Sequence, residues 1–301
     1  MVFHERNKII SSGKSIRGQK AFTLAEILVV IAVMGLLATI IFTITRGAGE
    51  QGQIAKGLYF SQHLQNSLGS YAVGIWSFDE GSGTAVNDTS GWGNNGTLVN
   101  SPVWRCASVD TSYTPSGQGC SLEFNGSTNY VGNIASTDSL EPSSITVSSW
   151  INMDVNAPTE RNIWLTKWYG YSLEIQANTR IPYFRLYGPG DIYSSKALTL
   201  GRWHHFVGTY DSSTGGKVYL DGELVGSIGP SGNITHSRNY PLNIGRYAGG
   251  VYFDGLIDEV RIYSISLSLS QVRSQYYAGL GKLFTRGLIS GQEYEGRLAM
   301  R

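Results

Sequence analysis

Apolar and polar positions fall into three regimes along the chain. From Lys20 to Ile44 the sequence reads KAFTLAEILVVIAVMGLLATIIFTI, broken by one acid, Glu26. No charge lies between Ile27 and Thr45, a stretch of about 18 residues that suffices to cross a bilayer as a helix. Beyond Arg46, Gly47, Gly49, Gly52 and Gly57 weaken a helix by about 1 kcal/mol each relative to Ala. Ile54, Leu58, Leu64 and Leu68 nevertheless share one helical face. The pattern predicts one long helix over 22–68 with a soft middle, ended by Gly69-Ser70. Its first half lies in the membrane and its second half packs on the domain that follows.

From Val73 the period changes to that of strands. Short β-prone runs occupy 73–78, 144–151, 163–167, 171–175, 183–186, 203–210, 217–220, 224–227, 242–244 and 256–263, separated by glycine-rich turns. Asp221-Gly222 between two such runs is a two-residue hairpin signal. Many short strands with little helix predict a mainly β, antiparallel sandwich. Ser268 and Gln271 form a capping-box pattern for a short helix through Tyr277. The chain thus divides into a basic N-terminal segment (1–21), a long helix with a transmembrane first half (22–69), a β domain (70–279) and a loose polar tail (280–301).

Composition agrees with the β assignment. Gly (38), Tyr (18) and Trp (7) are plentiful, which suits many turns and aromatic strand positions. The net charge is +1, and no basic cluster stands out beyond the N-terminal segment, so nothing points to nucleic acid. That segment carries Arg6, Lys8, Lys14, Arg17 and Lys20 against Glu5, an excess that holds the N-terminus in the cytoplasm. Everything after Ile44 is then extracytoplasmic. Cys106 and Cys120 lie in that oxidising space, where a disulfide closing this short loop is the simple reading and two unpaired thiols the alternative.

Phe22-Thr23-Leu24-Ala25-Glu26 followed by ILVVIAVMGLLATI resembles the N-terminus of type IV pilins and pseudopilins. The resemblance implies cleavage by a prepilin peptidase between Ala21 and Phe22, with methylation of the new amine. It makes Glu26 the assembly carboxylate that pairs with a neighbouring subunit's amine. A buried carboxylate and a buried ammonium are each costly alone and tolerable together. Ala21 stands where the family usually has Gly, and Ala25 where it usually has a larger aliphatic residue.

A second resemblance spans about 73–277. IWSFDEGSGTAVNDTSGWGNNGTL, SLEFNGSTNYV, ITVSSWIN, RWHHFVGTYD, KVYLDGELVGS, PLNIGR and FDGLIDEVRIYSISLS are similar, in order and spacing, to the laminin-G-like, concanavalin A-type lectin/glucanase jelly roll. It implies one structural Ca²⁺, with Asp258 as a ligand and Asp79, Asn125 and Gly126 supplying others. Oxygen donors in loose geometry suit that ion.

Catalysis finds little support. Glucanases of this fold use carboxylates in a Glu-x-Asp-x-Glu spacing, whereas here Glu174 is followed by Gln176 and no third acid. Glycoside hydrolysis normally needs two carboxylates. His204 and His205 are adjacent on a strand and point to opposite faces, so they cannot share a metal as a pair. No enzyme is expected. Trp164, Trp168, Tyr169, Tyr171, Tyr183, Tyr187 and Tyr193 cluster over the middle strands. Such rings suit sugars, although an aromatic on a sandwich strand ordinarily belongs to the core. Trp164, Trp168 and Tyr169 are the candidate ligand contacts.

These readings converge on a minor pilin or pseudopilin in the cytoplasmic membrane, displayed at the cell surface or on a filament. Its jelly-roll head meets a glycan or a surface protein. The alternatives are a purely structural subunit of a pilus or type II secretion pseudopilus, and an anchored glycan-active enzyme.

Overall fold

The computed structural model describes residues 68–157, 162–247, 249–287 and 289–299. Ala21, Phe22, Glu26 and the apolar run lie outside the described residues. Among the described residues no helix is long and apolar enough to cross a membrane.

The strands are, in chain order, β1 (Ala72–Trp76), β2 (Ala85–Val86), β3 (Gly96–Val99), β4 (Val103–Cys106), β5 (Cys120–Asn125) and β6 (Tyr130–Ile134). The middle set is β7 (Ile145–Met153), β8 (Asn162–Lys167), β9 (Tyr171–Ile175), β10 (Pro182–Leu186), β11 (Gly190–Tyr193) and β12 (Trp203–Asp211). The last are β13 (Gly215–Leu220), β14 (Glu223–Ile228), β15 (Leu242–Ile244), β16 (Arg246–Tyr247), β17 (Val251–Tyr252) and β18 (Asp254–Tyr263).

They build two eight-stranded antiparallel sheets. The first runs β14, β13, β12, β7, β18, β5, β4, with β1 also paired to β18. The second runs β11, β10, β9, β8, β15, β6, β3, β2. β16 and β17 form a separate two-stranded ribbon. Inward side chains of both sheets make one core, in which Trp76, Phe78, Trp164, Phe184, Phe206, Tyr210 and Phe253 are fully buried. Their polar tips are satisfied inside it: Trp76 Nε1 donates to Asn94 O at 3.0 Å, and Tyr210 Oη to Gly232 O at 2.6 Å. Burial of rings of this size supplies the dominant favourable term, and paired tips avoid the cost of orphaned donors.

Local chemistry explains the connections. Asp221 and Gly222 both take positive φ, at 52° and 79°, which is what a two-residue turn between right-twisted strands requires. Cys106 and Cys120 face each other across β4 and β5 and are joined by a disulfide.

After β18 the chain forms α1 (Leu269–Thr285), started by a complete capping box between Ser268 and Gln271. The expected short helix ending at Tyr277 is therefore corrected to 17 residues. The expected loose tail is also corrected, since it contains α2 (Gly291–Ala299). The reason is burial. Tyr276 and Leu280 of α1 and Tyr294 of α2 cluster with Trp150, while Val272 joins Leu68, Val207, Tyr219, Tyr263 and Leu267. α1 thus covers the outer face of the first sheet. The outer face of the second sheet carries polar and aromatic side chains instead.

Candidate functional site

Register decides which side chains reach that face. Strand alternation would set Trp164, Thr166 and Trp168 on one side. A β-bulge between Ile163 and Leu165 turns both Trp164 and Leu165 inward. Trp164 is fully buried and donates from Nε1 to Ser149 Oγ at 2.8 Å, so it is corrected from ligand candidate to core residue. Tyr171 is likewise core, with its hydroxyl on Leu140 O at 3.1 Å. Beyond the bulge the alternation resumes, and Thr166 lies beside Ser172 of β9 and Asn243 of β15 on the outer face.

Two groups of side chains occupy this face. One lies over β9, β10 and β11. Glu174 is buried and accepts from Ser172 Oγ at 2.5 Å and from the Tyr183 hydroxyl. Arg185 Nε is 3.8 Å from the same carboxylate and pairs with Asp191 at 3.0 Å. The Tyr183 and Tyr193 rings stack 4.8 Å apart. Asp191 went unremarked in the sequence because only the β10–β11 hairpin brings it opposite Arg185. Glu174 is thus committed to a closed polar network, while Gln176 is exposed.

The other group forms a cleft of about 240 Å³ where β8, β15 and β6 end. Its lining includes Tyr130, Asn133, Trp168, Tyr240, Asn243 and Arg246. Trp168 lies 4.1 Å from the Tyr247 ring and 6.0 Å from Tyr240. Tyr169, 44% exposed, stands 5.2 Å from Tyr187 and 5.5 Å from Tyr240. Trp168 Nε1 is buried with no hydrogen-bond partner among the described residues. Aromatic walls with amide groups between them suit a sugar ring, whose apolar face stacks while its hydroxyls bond. Sequence reading found Trp168 and Tyr169. It missed Tyr130, Tyr240 and Arg246, which come from distant segments; the signals were the SLEFNGSTNYV stretch that holds Tyr130 and the PLNIGR stretch that holds Arg246.

The residues considered for a metal divide. Asp258 is buried; that burial and the charges of Glu259 and Asp79 push its carboxyl well above the ordinary range, opposed by the Glu259 amide and Arg261. Asp79 accepts from the Cys120 amide at 3.0 Å. Asn125 and Gly126 do not join them. They sit across from Asp254, four residues up β18, and the Asn125 side chain closes its own turn by accepting from Ser127 and Thr128 amides. Among the described residues no three of His, Cys, Asp and Glu are grouped to hold a metal ion. The two histidines diverge. His204 Nε2 accepts from the Thr199 amide at 3.1 Å, so Nδ1 carries the proton toward Asp221 at 2.8 Å. His205 lies under α1, its ring 5.0 Å from Trp150.

Two family models match the chain. One is the prokaryotic N-terminal methylation motif, over residues 16–42. The other is the laminin-G type of the concanavalin A-like lectin/glucanases superfamily, over 125–273. The chain therefore joins a methylation segment to a lectin-like jelly roll. No curated protein matches it. Among solved structures it is similar to a botulinum neurotoxin type C described by its interaction with two ganglioside molecules (12% identity, TM-score 0.52, 71% of this chain and 53% of that one). It is also similar to the botulinum neurotoxin serotype D ligand-binding domain in complex with N-acetylneuraminic acid (15%, 0.51, 72% and 53%). A third is Trypanosoma rangeli sialidase (16%, 0.50, 75% and 38%). The chain spans about half the length of the toxin chains and less of the sialidase. At such identities the likeness shows the fold.

Proposed function

We propose that this protein is a minor pilin-like subunit whose jelly-roll head binds glycan in the cleft at Trp168. The observation that carries the reading is the cleft itself: aromatic walls and a buried, unpaired indole N–H on the sheet face that α1 leaves uncovered. The similarity in fold to toxin domains described with gangliosides and N-acetylneuraminic acid supports it. In this reading the head is a binding module and no enzyme, because Glu174 is already tied up by Ser172, Tyr183 and Arg185. Any structural Ca²⁺ belongs beside Asp79 and Asp258.

The test is capture of a glycan library by the detergent-purified full chain. Trp168→Ala is expected to weaken capture about tenfold, the worth of one stacked ring. Unchanged capture would move the binding site elsewhere.

Assembly rests on Glu26. Glu26→Gln removes the charge that pairs with a neighbour's amine while making membrane insertion easier. The variant is expected in the membrane at wild-type level and depleted from sheared filaments. Its recovery in filaments at wild-type level would remove Glu26 from the assembly contact. A purely structural subunit is the second reading, and it would give normal filaments with no glycan captured.

A further inference from the structure

Among the described residues, one cation and no acid line the cleft. Arg246 enters it from β16, directly after Gly245. Its guanidinium carbon lies 4.5 Å from the Tyr130 ring centroid and 5.8 Å from that of Tyr252. Contacts of this kind hold a guanidinium by cation–π attraction and fix its plane. Several buried or half-buried cations of the head meet carboxylates, Lys167 on Glu141, Arg185 on Asp191 and Arg261 on Glu259, whereas half-buried Arg202, like Arg246, has a buried Nε without a partner among the described residues. Arg246 makes no ion pair and no hydrogen bond to a described residue, and its Nε is buried without a partner. The two Nη nitrogens are the part of the fork left to a ligand.

The surrounding groups add one more donor and two amide acceptors. Trp168 Nε1 is a donor without a partner among the described residues. Asn133 Nδ2 is engaged by Thr97 Oγ1 at 2.6 Å, and Asn243 Nδ2 by Pro241 O at 3.4 Å, which leaves the two uncharged amide oxygens as the acceptors here. No Asp or Glu lines the cleft. A neutral sugar offers hydroxyls that both donate and accept, and the described residues of the cleft give it no carboxylate to donate to. This cleft supplies a preset cationic fork and a spare N–H, which suit an anionic acceptor.

Resting on the reading of the cleft as a glycan site, we infer that its ligand is a sugar bearing a negatively charged group, which Arg246 binds. A planar carboxylate matches the guanidinium fork in two parallel hydrogen bonds, and a sulfate ester offers the same charge without the plane. Trp168 and Tyr240 hold the ring, and Arg246 selects the charge.

The test uses the detergent-purified full chain at low salt with four soluble probes: lactose, sialyllactose, sulfated lactose and a galacturonate trimer. The carboxylate-bearing probes are expected to bind roughly tenfold tighter than lactose, with the preference shrinking as salt rises. Sulfated lactose binding as well as sialyllactose would widen the class to anionic sugars in general. Arg246→Gln is expected to bring acidic and neutral probes to equal affinity, whereas Trp168→Ala weakens all of them and keeps the acid preference. Should Arg246→Gln fold poorly, the methyl ester of sialyllactose on the wild-type protein makes the same comparison and is expected to bind like lactose. Equal binding of lactose and the acidic probes by wild-type protein would overturn the inference and leave the glycan site standing. An acid preference that survives Arg246→Gln would also overturn it. Binding of none of the probes, nor of any glycan in the library, would remove the glycan site and this inference together.

Discussion

Lys167→Ala is expected to destabilise the head by about 3–5 kcal/mol, the cost of stripping one partner from a buried ion pair. The Lys167 side chain is fully buried at the end of β8. Its ammonium donates to Ser136 Oγ at 2.8 Å, Glu141 Oε1 at 3.0 Å, Ser237 O at 3.0 Å and Tyr240 O at 3.2 Å. Burial lowers its pKa and the Glu141 carboxylate opposes that shift. One side chain thus ties the loop before β7 to the loop before β15, and the second of these carries Tyr240 of the cleft. Removing the ammonium leaves Glu141 and two carbonyls short of a donor. Urea unfolding of the purified protein, followed by tryptophan fluorescence, measures the loss, and glycan capture should fall with it. Lys167→Met with Glu141→Gln should recover a large part of the stability, since no charge is then left buried alone. A single variant within about 1 kcal/mol of wild type would make Lys167 a surface-like residue in energetic terms.

Much of this architecture was legible because the local signals were strong and agreed with one another. Asp221-Gly222 names its turn by demanding two positive φ values. Ser268 and Gln271 name a helix start. Aromatic-rich runs with period two name the central strands. The missed features have physical causes. β2, β16 and β17 are two residues long and have no periodicity to detect. The bulge in β8 reverses the facing of Trp164, and nothing in the spacing of NIWLTKW announces an inserted residue. α1 runs past Tyr277, and α2 follows, because Trp150 on a distant strand offers Tyr276, Leu280 and Tyr294 a place to bury. The same limit applies to the cleft. Trp168 and Tyr169 stand together in the sequence, but Tyr130, Tyr240 and Arg246 join them only through sheet order. An unpaired arginine is a property of three-dimensional surroundings, and composition cannot show it.

His205 gives the head a dependence on acid that a substitution can isolate. The ring is enclosed between Trp150 on β7 and Tyr276 on α1, with centroids 5.0 Å and 6.3 Å away. Its Nδ1 is buried without a partner among the described residues. Burial pushes its pKa down to about 3; the nearby Asp221 carboxylate opposes the shift and Arg261 adds to it. An unfolded chain protonates its histidines near 6.5, as is general for exposed imidazole. Between these two pH values the unfolded state binds the extra proton, so stability falls as pH falls. The slope is at most about 1.4 kcal/mol per pH unit, and the contribution is constant above about 6.5. Asp258 acts in the opposite sense, because its raised pKa lets the folded state take up a proton first as pH falls. The comparison must therefore be between wild type and His205→Phe, which keeps an aromatic ring beside Trp150 and removes the titrating group. At pH 7.5 the variant is expected to match or exceed wild type, since an unpaired buried nitrogen is lost. Below about pH 6 the gap should widen in the variant's favour by roughly 1 kcal/mol per unit. Parallel stability–pH curves for the two proteins would show that His205 takes up its proton as readily in the folded head as in the unfolded chain.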